Sequence, residues 1–514
     1  MAKKQKKKGA SKKATRWTTT AKKTALSKQV KRANKWIQKR HPGAIDRAGC
    51  GLFTQGRGGI SVTNDWVMAY LVGGWGMPKE PTVYCEMTGG YYLYDARATV
   101  YREIRPNQVV QRLAGVVETC GQDTGSAALL TGLKSTRFAA LPSVLAGLVD
   151  QQPDGLGSPI KRHGAGFLQV LNGRLDLATL TLSPAVPSNA GVWRIPVPWV
   201  PDAKSPTRFL AFLKEIMPDE DDRELLLDLL ASAFVGNPSQ KLLILRGTGG
   251  SGKSTLIKLI RLLIGEGAAG ELGLGHAKER FTAINWLGKL LLVESEASQA
   301  ALDGAYSELK RLTGQDTIFA DRKNRSHLQF TSEALPILVS NEHLTIRSRG
   351  DQAAWERRAV ILDAAEPPKD REAITGLHDT LVELEGPAIL KVLATRAAQI
   401  LSEERSVRPL NAAQRSRVTA RFSFHAYLTE WAQERLTSLG GALCLYRDEA
   451  WQDFQRWAAA KGYATGPSSA PTPDLREIVE EIGGVWSQSL PKPANREKAG
   501  ILALKGWRGV GLRG

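Results

Sequence analysis

Glycines, a lysine and a serine stand at a spacing that binds phosphate groups midway along the chain. The segment LRGTGGSGKSTL, Leu245 to Leu256, fits the pattern G-x-x-x-x-G-K-[ST], with a strand-like run before it and a helix-like run after it. The glycines let backbone N–H groups turn inward, Lys253 would bridge the β- and γ-phosphates of a nucleotide, and Ser254 would ligate Mg²⁺. The predicted nucleotide-contacting residues are Gly247, Thr248, Gly249, Gly250, Ser251, Gly252, Lys253, Ser254 and Thr255.

Two carboxylates follow the next buried strand. The segment GKLLLVESEAS predicts a strand from Leu290 to Val293 that ends in Glu294 and Glu296. One carboxylate at such a strand end can orient Mg²⁺, and the other can polarise the attacking water. A pair of glutamates that only face solvent is the alternative. The sequence leaves open which of the two would act on water.

Three polar side chains further along could sense or stabilise a transferring phosphoryl group. Asn341 follows the strand PILVS, where its neutral amide could contact a γ-phosphate and hold water, although asparagine is also an ordinary turn residue. Arg357 and Arg358 precede the apolar run AVILD. An arginine supplied by a neighbouring subunit can stabilise the charge that develops in phosphoryl transfer. Arg358 is the preferred candidate because it directly precedes the apolar run.

The segment DTIFADRKNRSHLQFTS predicts a hairpin between the second and third strands. Its tip carries Arg322, Lys323 and Arg325, which would be either solvated charges or contacts to a polyanion. Apolar runs alternate with helical segments from Lys241 to about Asp363, as a parallel sheet with crossover helices requires. The central part is therefore predicted to be an α/β motor.

Positive charge is concentrated at the amino terminus. The chain has 514 residues and a formal charge of +19, and residues 1–44 contain 16 lysines and arginines and no acid. Such a segment is expected to be a disordered arm that contacts phosphates, with a solubilising tail or a targeting peptide as alternatives. Four dispersed cysteines argue against structural zinc or a disulfide framework, and no apolar run is long enough to span a membrane.

Composition and periodicity divide the chain into five predicted parts. The flanking parts are expected to be an α-rich N-terminal module and a small α-rich C-terminal domain, which could be of winged-helix type and bind DNA. The predicted boundaries are a basic arm at 1–45, an N-terminal module at 46–235 that is helical from about 106, an ATPase domain at 236–365, a helical region at 366–417 and a C-terminal domain at 418–514.

The order of these motifs resembles the superfamily 3 helicases, specifically the helicase domain of phage and plasmid primase-type (poxvirus-like) replication proteins. The matching segments are GTGGSGKST, GKLLLVESE, LKRLTGQDTIFADRKNRSHLQF, LPILVSNEH and AAWERRAVIL, in the family order. The resemblance implies a motor of AAA+ (P-loop) type that uses ATP and Mg²⁺. It assigns Lys253 and Ser254 to nucleotide and Mg²⁺, Glu294 or Glu296 to the Walker B acid, and Asn341 to the sensor.

The resemblance also implies a homo-hexameric ring that translocates on single-stranded DNA. Lys323, together with Arg325, matches the hairpin that grips DNA, and Arg357 or Arg358 matches the arginine finger. Expected partners are single-stranded and forked DNA and replication proteins such as a primase or polymerase, and no membrane. Too little of the chain lies outside the recognised region to form a primase domain, so a stand-alone helicase is expected.

The leading functional hypothesis is an ATP-dependent replicative DNA helicase of a phage, plasmid or other mobile element, acting in the host cytoplasm. The runner-up is an origin-binding initiator that uses ATP mainly to assemble on DNA. An ATPase that remodels RNA or protein is a third and weaker alternative, because the hairpin is similar to that of DNA-translocating relatives. Unwinding of a forked duplex separates the first two hypotheses.

Overall fold

The chain forms an N-terminal block, a central α/β block and a small C-terminal block. The computed structural model describes residues 22–44, 51–55, 60–62, 64–73, 80–126, 129, 136–147, 159–162, 166–276, 282–321, 327–342, 344, 352–367, 374–402, 407–438, 443–461, 470–491 and 504–513. Among these residues, no helix is long and apolar enough to cross a bilayer.

The N-terminal block combines helices with two small antiparallel sheets. Its elements are α1 (22–40), β1 (Phe53–Gln55), β2 (Ile60–Val62), α2 (Asp65–Gly73), β3 (Thr82–Cys85), β4 (Gly90–Asp95), β5 (Val100–Ile104), α3 (Pro106–Thr124) and α4 (Thr136–Gly147). Strand β4 pairs with β3 on one side and β5 on the other, and the four helices share one apolar cluster with residues of the strands. The helical part predicted to begin at about residue 106 opens with α3, whose first residue is Pro106.

Helix α1 corrects the prediction that the whole segment to residue 45 is a disordered arm. Ala33 and Ile37 are fully buried, and Leu26 and Val30 pack against the same cluster. These four side chains recur every three or four residues, which places them on one face of a helix. The density of lysines concealed this amphipathic pattern. Residues 1–21 of the predicted arm lie outside the described residues.

A short sheet and two helices lead into the central block. The elements are a 3₁₀ turn (Pro159–Arg162), β6 (Phe167–Val170), β7 (Gly173–Asp176), β8 (Thr181–Ser183), α5 (Thr207–Ile216), α6 (Glu220–Ser232) and a second 3₁₀ turn (Ala233–Val235). Strands β6 and β7 form a hairpin, with Val170 paired to Gly173 so that Leu171 and Asn172 make the turn. Helices α5 and α6 bury their apolar faces in the core of the central block.

The central block contains the predicted parallel sheet. Its elements are β9 (Leu242–Arg246), α7 (Lys253–Ile264), β10 (Ala269–Glu271), 3₁₀ turns at Leu274–His276 and Ala283–Trp286, β11 (Leu291–Glu294), α8 (Gln299–Gly304), α9 (Tyr306–Gly314), β12 (Ile318–Ala320), β13 (Leu328–Phe330), β14 (Leu335–Ser340), α10 (Gln352–Arg358) and β15 (Ala359–Asp363). The strand order is β10-β11-β14-β9-β15, with all neighbours parallel.

Both faces of this sheet are buried, which is why its strands read as continuous apolar runs. Successive residues of β9 alternate between two cores. Leu243 and Leu245 pack on the side of α5, α6 and α7, whereas Leu242 and Ile244 pack on the side of α8 and α9. The hairpin predicted between the carboxylate strand and the Asn341 strand is present as the antiparallel pair β12 and β13.

The C-terminal part consists of two long helices and a small α+β unit. Its elements are α11 (Leu377–Ser402), α12 (Ala412–Arg435), β16 (Leu436–Ser438), β17 (Cys444–Tyr446), α13 (Arg447–Ala460), α14 (Thr472–Glu481), β18 (Val485–Leu490), β19 (Leu504–Arg508) and β20 (Val510–Leu512). Helix α11 packs against α6 and α7 and buries Ile389 and Leu393 in the core of the central block. The final unit has a core of its own, in which three helices pack on the sheet β17-β19-β18.

A buried polar contact ties α6, before the sheet, to α12, after it. Asp222 is only 3% exposed. It accepts a 2.9 Å hydrogen bond from Gln414 Nε2 and forms an ion pair with Arg417. Gln414 is itself held by the capping box at the start of α12, where Asn411 N donates to its Oε1 at 2.9 Å. The capping box thus orients Gln414 toward Asp222.

Replacing this carboxylate should destabilise the chain. In Asp222→Asn the neutral amide leaves Arg417 without its ionic partner, and breaking one side of a buried ion pair costs about 3 kcal/mol or more. The melting temperature should fall clearly, as measured by differential scanning fluorimetry. Glu220→Gln, an exposed acid in the same helical turn, is the matched control and should change it little. Equal melting temperatures for the two variants would contradict a stabilising role for this contact.

Candidate nucleotide-binding site

The glycine-rich loop connects the end of β9 to the start of α7, as the sequence predicts. Gly250 and Gly252 have φ values of +82° and +90°, a conformation that disfavours side chains. At Gly252 a side chain is excluded twice, because an added Cβ would also lie 2.5 Å from Cγ2 of Ile216. Helix α5, which carries Ile216, therefore packs directly against the loop and holds its shape.

The amino group of Lys253 lies inside the loop. Its Nζ donates to the carbonyl oxygens of Gly247 at 2.7 Å and Thr248 at 2.9 Å, and to Ser251 Oγ at 3.0 Å. The side chain is 5% exposed, and burial lowers the pKa of its ammonium group. Within the described part of the chain no carboxylate pairs with it. A buried cation held only by neutral oxygens fits a loop that receives an anionic ligand.

The end of β14 lies directly beside the loop. Gly247 N donates to Ser340 O at 3.2 Å, and the exposed Asn341 is the next residue after Ser340. Ser340 is itself buried, and its hydroxyl donates to Ala297 O at 2.8 Å, which fixes the turn that follows the strand. The structure thus places Asn341 at the same sheet edge as the predicted phosphate loop.

The two glutamates after β11 have different surroundings. Glu294 is half-buried, and its Oε2 accepts a 2.8 Å hydrogen bond from the backbone N–H of Leu274. Glu296 is exposed and lines a cavity of about 470 Å³ together with Ser254. Ser254 and Glu296, two of the residues predicted to bind Mg²⁺, therefore line the same cavity. Glu294 is instead bound to a backbone N–H in the connection between β10 and β11.

The same cavity brings in residues that the sequence does not point to. It is lined by Ser254, Ile257, Lys258, Arg261, Leu262, Glu266, Ser295, Glu296, Val339, His378 and Asp379. His378 and Asp379 lie in the first turn of α11, with Nε2 of the histidine 3.5 Å from Oδ2 of the aspartate. No local pattern indicates them, because only the packing of α11 against α7 brings them to the cavity.

An ion pair on the other side of the loop was also not anticipated. Arg246, the last residue of β9, is bound to Asp363, the last residue of β15, with a 2.7 Å separation between Nη2 and Oδ2. Ala364 N then donates to the carbonyl of Arg246, and Ala365 N donates to that of Ile216. The sequence indicates this pair only by placing Arg246 and Asp363 each at the end of an apolar run.

The two candidate arginines lie at the opposite end of the sheet. Ala359 pairs with Leu242 at the start of β9, so Arg357 and Arg358 are remote from the loop of their own chain. Arg357 is exposed, whereas Arg358 is 9% exposed and directs Nη1 to the carbonyl of Lys310 at 3.3 Å. Burial therefore argues for Arg357, and against the preferred Arg358, as the side chain able to reach a neighbouring subunit.

Two paired strands flank the predicted basic hairpin tip. Arg322, Lys323 and Arg325 lie outside the described residues, which end at Asp321 and resume at His327. The strands on either side are paired, and Phe319 on β12 is 61% exposed. Asp321 and His327 form an ion pair at the base of the tip when the histidine is protonated.

A family model matches part of the central block, and two curated proteins match about 30% of the chain. Residues 245–358 match a family described as "Family of unknown function (DUF5906)". The chain is 28% identical over 158 residues to "Putative helicase L207/L206" of Acanthamoeba polyphaga mimivirus, covering 29% of this chain and 16% of that protein. It is 29% identical over 175 residues to "Putative helicase 022R" of Frog virus 3 (isolate Goorha), covering 31% of this chain and 18% of that protein.

The matched segment thus spans less than a fifth of either viral protein. Among solved structures, the apo form of the NrS-1 C-terminal region aligns over 84% of this chain and 96% of that chain. The sequence identity in that alignment is 11% and the TM-score is 0.45.

Proposed function

We propose that the chain is an ATP-dependent DNA helicase that acts in the replication of a virus, plasmid or other mobile element. The observation that carries the proposal is the buried ammonium of Lys253, which is held by neutral loop oxygens and has no carboxylate partner in the described part of the chain. Similarity to two viral proteins named as helicases supports the choice of helicase among nucleotide-hydrolysing enzymes, and the segment matched by the family model contains this loop.

Each site residue has a chemical part in ATP hydrolysis under this proposal. Lys253 exchanges its contacts with the loop carbonyls for contacts with phosphate oxygens, and the loop N–H groups add further donors. Asn341 orients the attacking water, and Glu296 accepts its proton as the water oxygen bonds to the γ-phosphorus and the bond to the bridging oxygen breaks. Bound Mg²⁺, held through Ser254, would neutralise charge on the phosphates and on the departing ADP.

The proposal extends to the assembly of the enzyme. Arg357 is exposed at the sheet end remote from its own loop, which suits an arginine finger that completes the site of a neighbouring subunit. We therefore propose a superfamily 3 motor of AAA+ type that forms a hexameric ring, translocates on single-stranded DNA in the host cytoplasm and contacts DNA through Arg322, Lys323 and Arg325.

The C-terminal unit has a more limited role in this proposal. A winged-helix unit that binds DNA through a helix would need a cationic face. Helix α14 instead carries Glu477, Glu480 and Glu481 against Arg476, and Arg476 already bonds Glu480. We assign this unit to contacts with other replication proteins in preference to DNA.

Removing the loop lysine tests the enzyme class. Lys253→Ala should lower ATP turnover by about a hundredfold or more, since a preorganised donor to the reacting phosphates is lost. Lys214→Ala, an exposed lysine on α5, is the control and should match the wild type. ATP hydrolysis is measured by phosphate release, and unwinding with a forked, fluorescently labelled duplex. Wild-type turnover in Lys253→Ala would refute the site, and DNA-stimulated turnover without unwinding would favour the initiator.

The two glutamates are separated by paired amide substitutions. Glu296→Gln should lower kcat by about 10²-fold or more, because it removes the proton acceptor while leaving nucleotide binding intact. Glu294→Gln should retain most of its activity, because the amide oxygen can still accept the hydrogen bond from Leu274 N. Steady-state hydrolysis and binding of a fluorescent ATP analogue are measured for both. The reverse order of the two losses would assign the water-polarising role to Glu294.

The trans-acting arginine is tested by mixing subunits. Arg357→Ala should still bind ATP but hydrolyse it about a thousandfold more slowly. Mixed with Lys253→Ala, it should recover part of the activity, because some hybrid interfaces pair an intact loop with an intact arginine. Arg358→Ala should mainly lower the melting temperature, since Arg358 is buried against α9. A folded but inactive Arg358→Ala beside a fully active Arg357→Ala would assign the finger to Arg358.

A further inference from the structure

Helix α1 carries an unusual excess of positive charge for a packed element. Its 19 residues include eight lysines and arginines and no acid, and all eight cations are exposed. A solvated charge run is normally balanced by acids on the same or a neighbouring helix. This surface therefore differs from an ordinary polar face.

The helix is rigidly attached to the N-terminal block. Asn34 makes two hydrogen bonds with the backbone of Phe53, donating to its carbonyl at 2.9 Å and accepting from its N–H at 3.0 Å. Trp36 Nε1 donates to Asp123 of α3 at 2.9 Å, and Ile37 is fully buried in the core of the N-terminal block. The cations of α1 are thus displayed by a folded element.

Five of the cations form one row, which we call the basic stripe: Lys28, Lys31, Arg32, Lys35 and Lys39. At 3.6 residues per turn these five positions fall within an arc of about 100°, centred roughly opposite Ile37. They span about 16 Å along the helix axis at 1.5 Å per residue. The packed face and the charged face therefore lie on opposite sides of the helix.

The basic stripe has no anionic partner within the described residues, where none of its five members makes an ion pair. The neighbouring Arg40 shows the contrast, because it pairs with Asp123 at 2.9 Å and lies over the ring of Trp36. The fold thus compensates the cation at the end of the helix and leaves the stripe uncompensated.

We propose that the basic stripe binds the phosphate backbone of duplex DNA without reading its sequence. Duplex DNA presents phosphates at 3.4 Å of axial rise per strand, so a stripe of about 16 Å matches the rise of about five nucleotides. Fixed cations in a straight row suit phosphates that are themselves held in a regular array. This inference is independent of the ATPase, because the stripe belongs to the N-terminal block.

Three other anionic partners fit the stripe less well. A single strand is normally held by exposed aromatic side chains on which bases stack, and the only aromatic of α1, Trp36, is half-buried and bonded to Asp123. A membrane-surface helix must insert its apolar face, and here that face is used in the core. A protein interface requires apolar or aromatic anchors among its charges, and the stripe has none.

The test measures how salt weakens the binding of the full-length chain to a fluorescent 20-base-pair duplex, without nucleotide. Lys31→Gln/Lys35→Gln should reduce the slope of log K against log salt by about 1.8, since each lost phosphate contact contributes about 0.9. The control Lys204→Gln/Lys214→Gln removes two exposed lysines outside α1 and should keep the wild-type slope. Glutamine retains good helix propensity, so α1 should remain folded.

The outcomes separate the alternatives. Equal slopes for the stripe variant and the control would overturn the proposal. So would a stripe-dependent slope that is confined to a 20-nucleotide single strand, or stripe-dependent binding to phosphatidylserine vesicles without an effect on the duplex. Lys253→Ala should keep the wild-type slope for duplex binding, so failure of the ATPase proposal would leave this result unchanged.

Discussion

The parallel pairing of β9 between β14 and β15 is the constraint on which the candidate site depends. Parallel neighbours bring their carboxyl ends to one edge, so the loop after Arg246, Asn341 after β14 and Asp363 at the end of β15 must meet there. The bond from Gly247 N to Ser340 O fixes the loop against this edge. Because Arg357 lies at the opposite end of the strands, the same pairing separates the candidate phosphate loop from the residue proposed to act on a neighbouring subunit.

The loop contains one unfavourable feature that a bound phosphate would relieve. Gly250 and Gly252 adopt the positive φ that glycine tolerates, but Lys253 keeps an ammonium group buried with only neutral acceptors around it. Burying a cation without an anion is costly even when dipoles solvate it. A phosphate in the loop would return an ionic partner to Lys253, so the free energy spent on folding the loop reappears as affinity for the anion. Packing of Ile216 against Gly252 keeps the loop from relaxing into a less costly shape.

Short sequence patterns predicted the elements whose structure depends on neighbouring residues. The loop follows from glycine and lysine spacing, and the strands β9, β11, β14 and β15 follow from apolar runs that are buried on both faces. Contacts between distant segments were not predictable: the first turn of α11 reaches the cavity of Ser254 only through helix packing. The different roles of Glu294 and Glu296 depend on one backbone N–H, that of Leu274. The sequence of α1 does contain the apolar spacing of a helix. The prediction missed it because the four apolar residues stand among many lysines.

The N-terminal block and the central block are connected by a backbone hydrogen bond and an indole hydrogen bond. Tyr101 N, at the edge of the β3-β4-β5 sheet, donates to Gly191 O at 2.8 Å. Trp193 Nε1, two residues further on, donates at 2.8 Å to the carbonyl of Gly288, just before β11. A duplex held by the basic stripe would therefore be linked, through short ordered segments, to the strand that positions Glu296. The element that carries the basic stripe and the sheet edge that carries the candidate site therefore belong to one hydrogen-bonded framework.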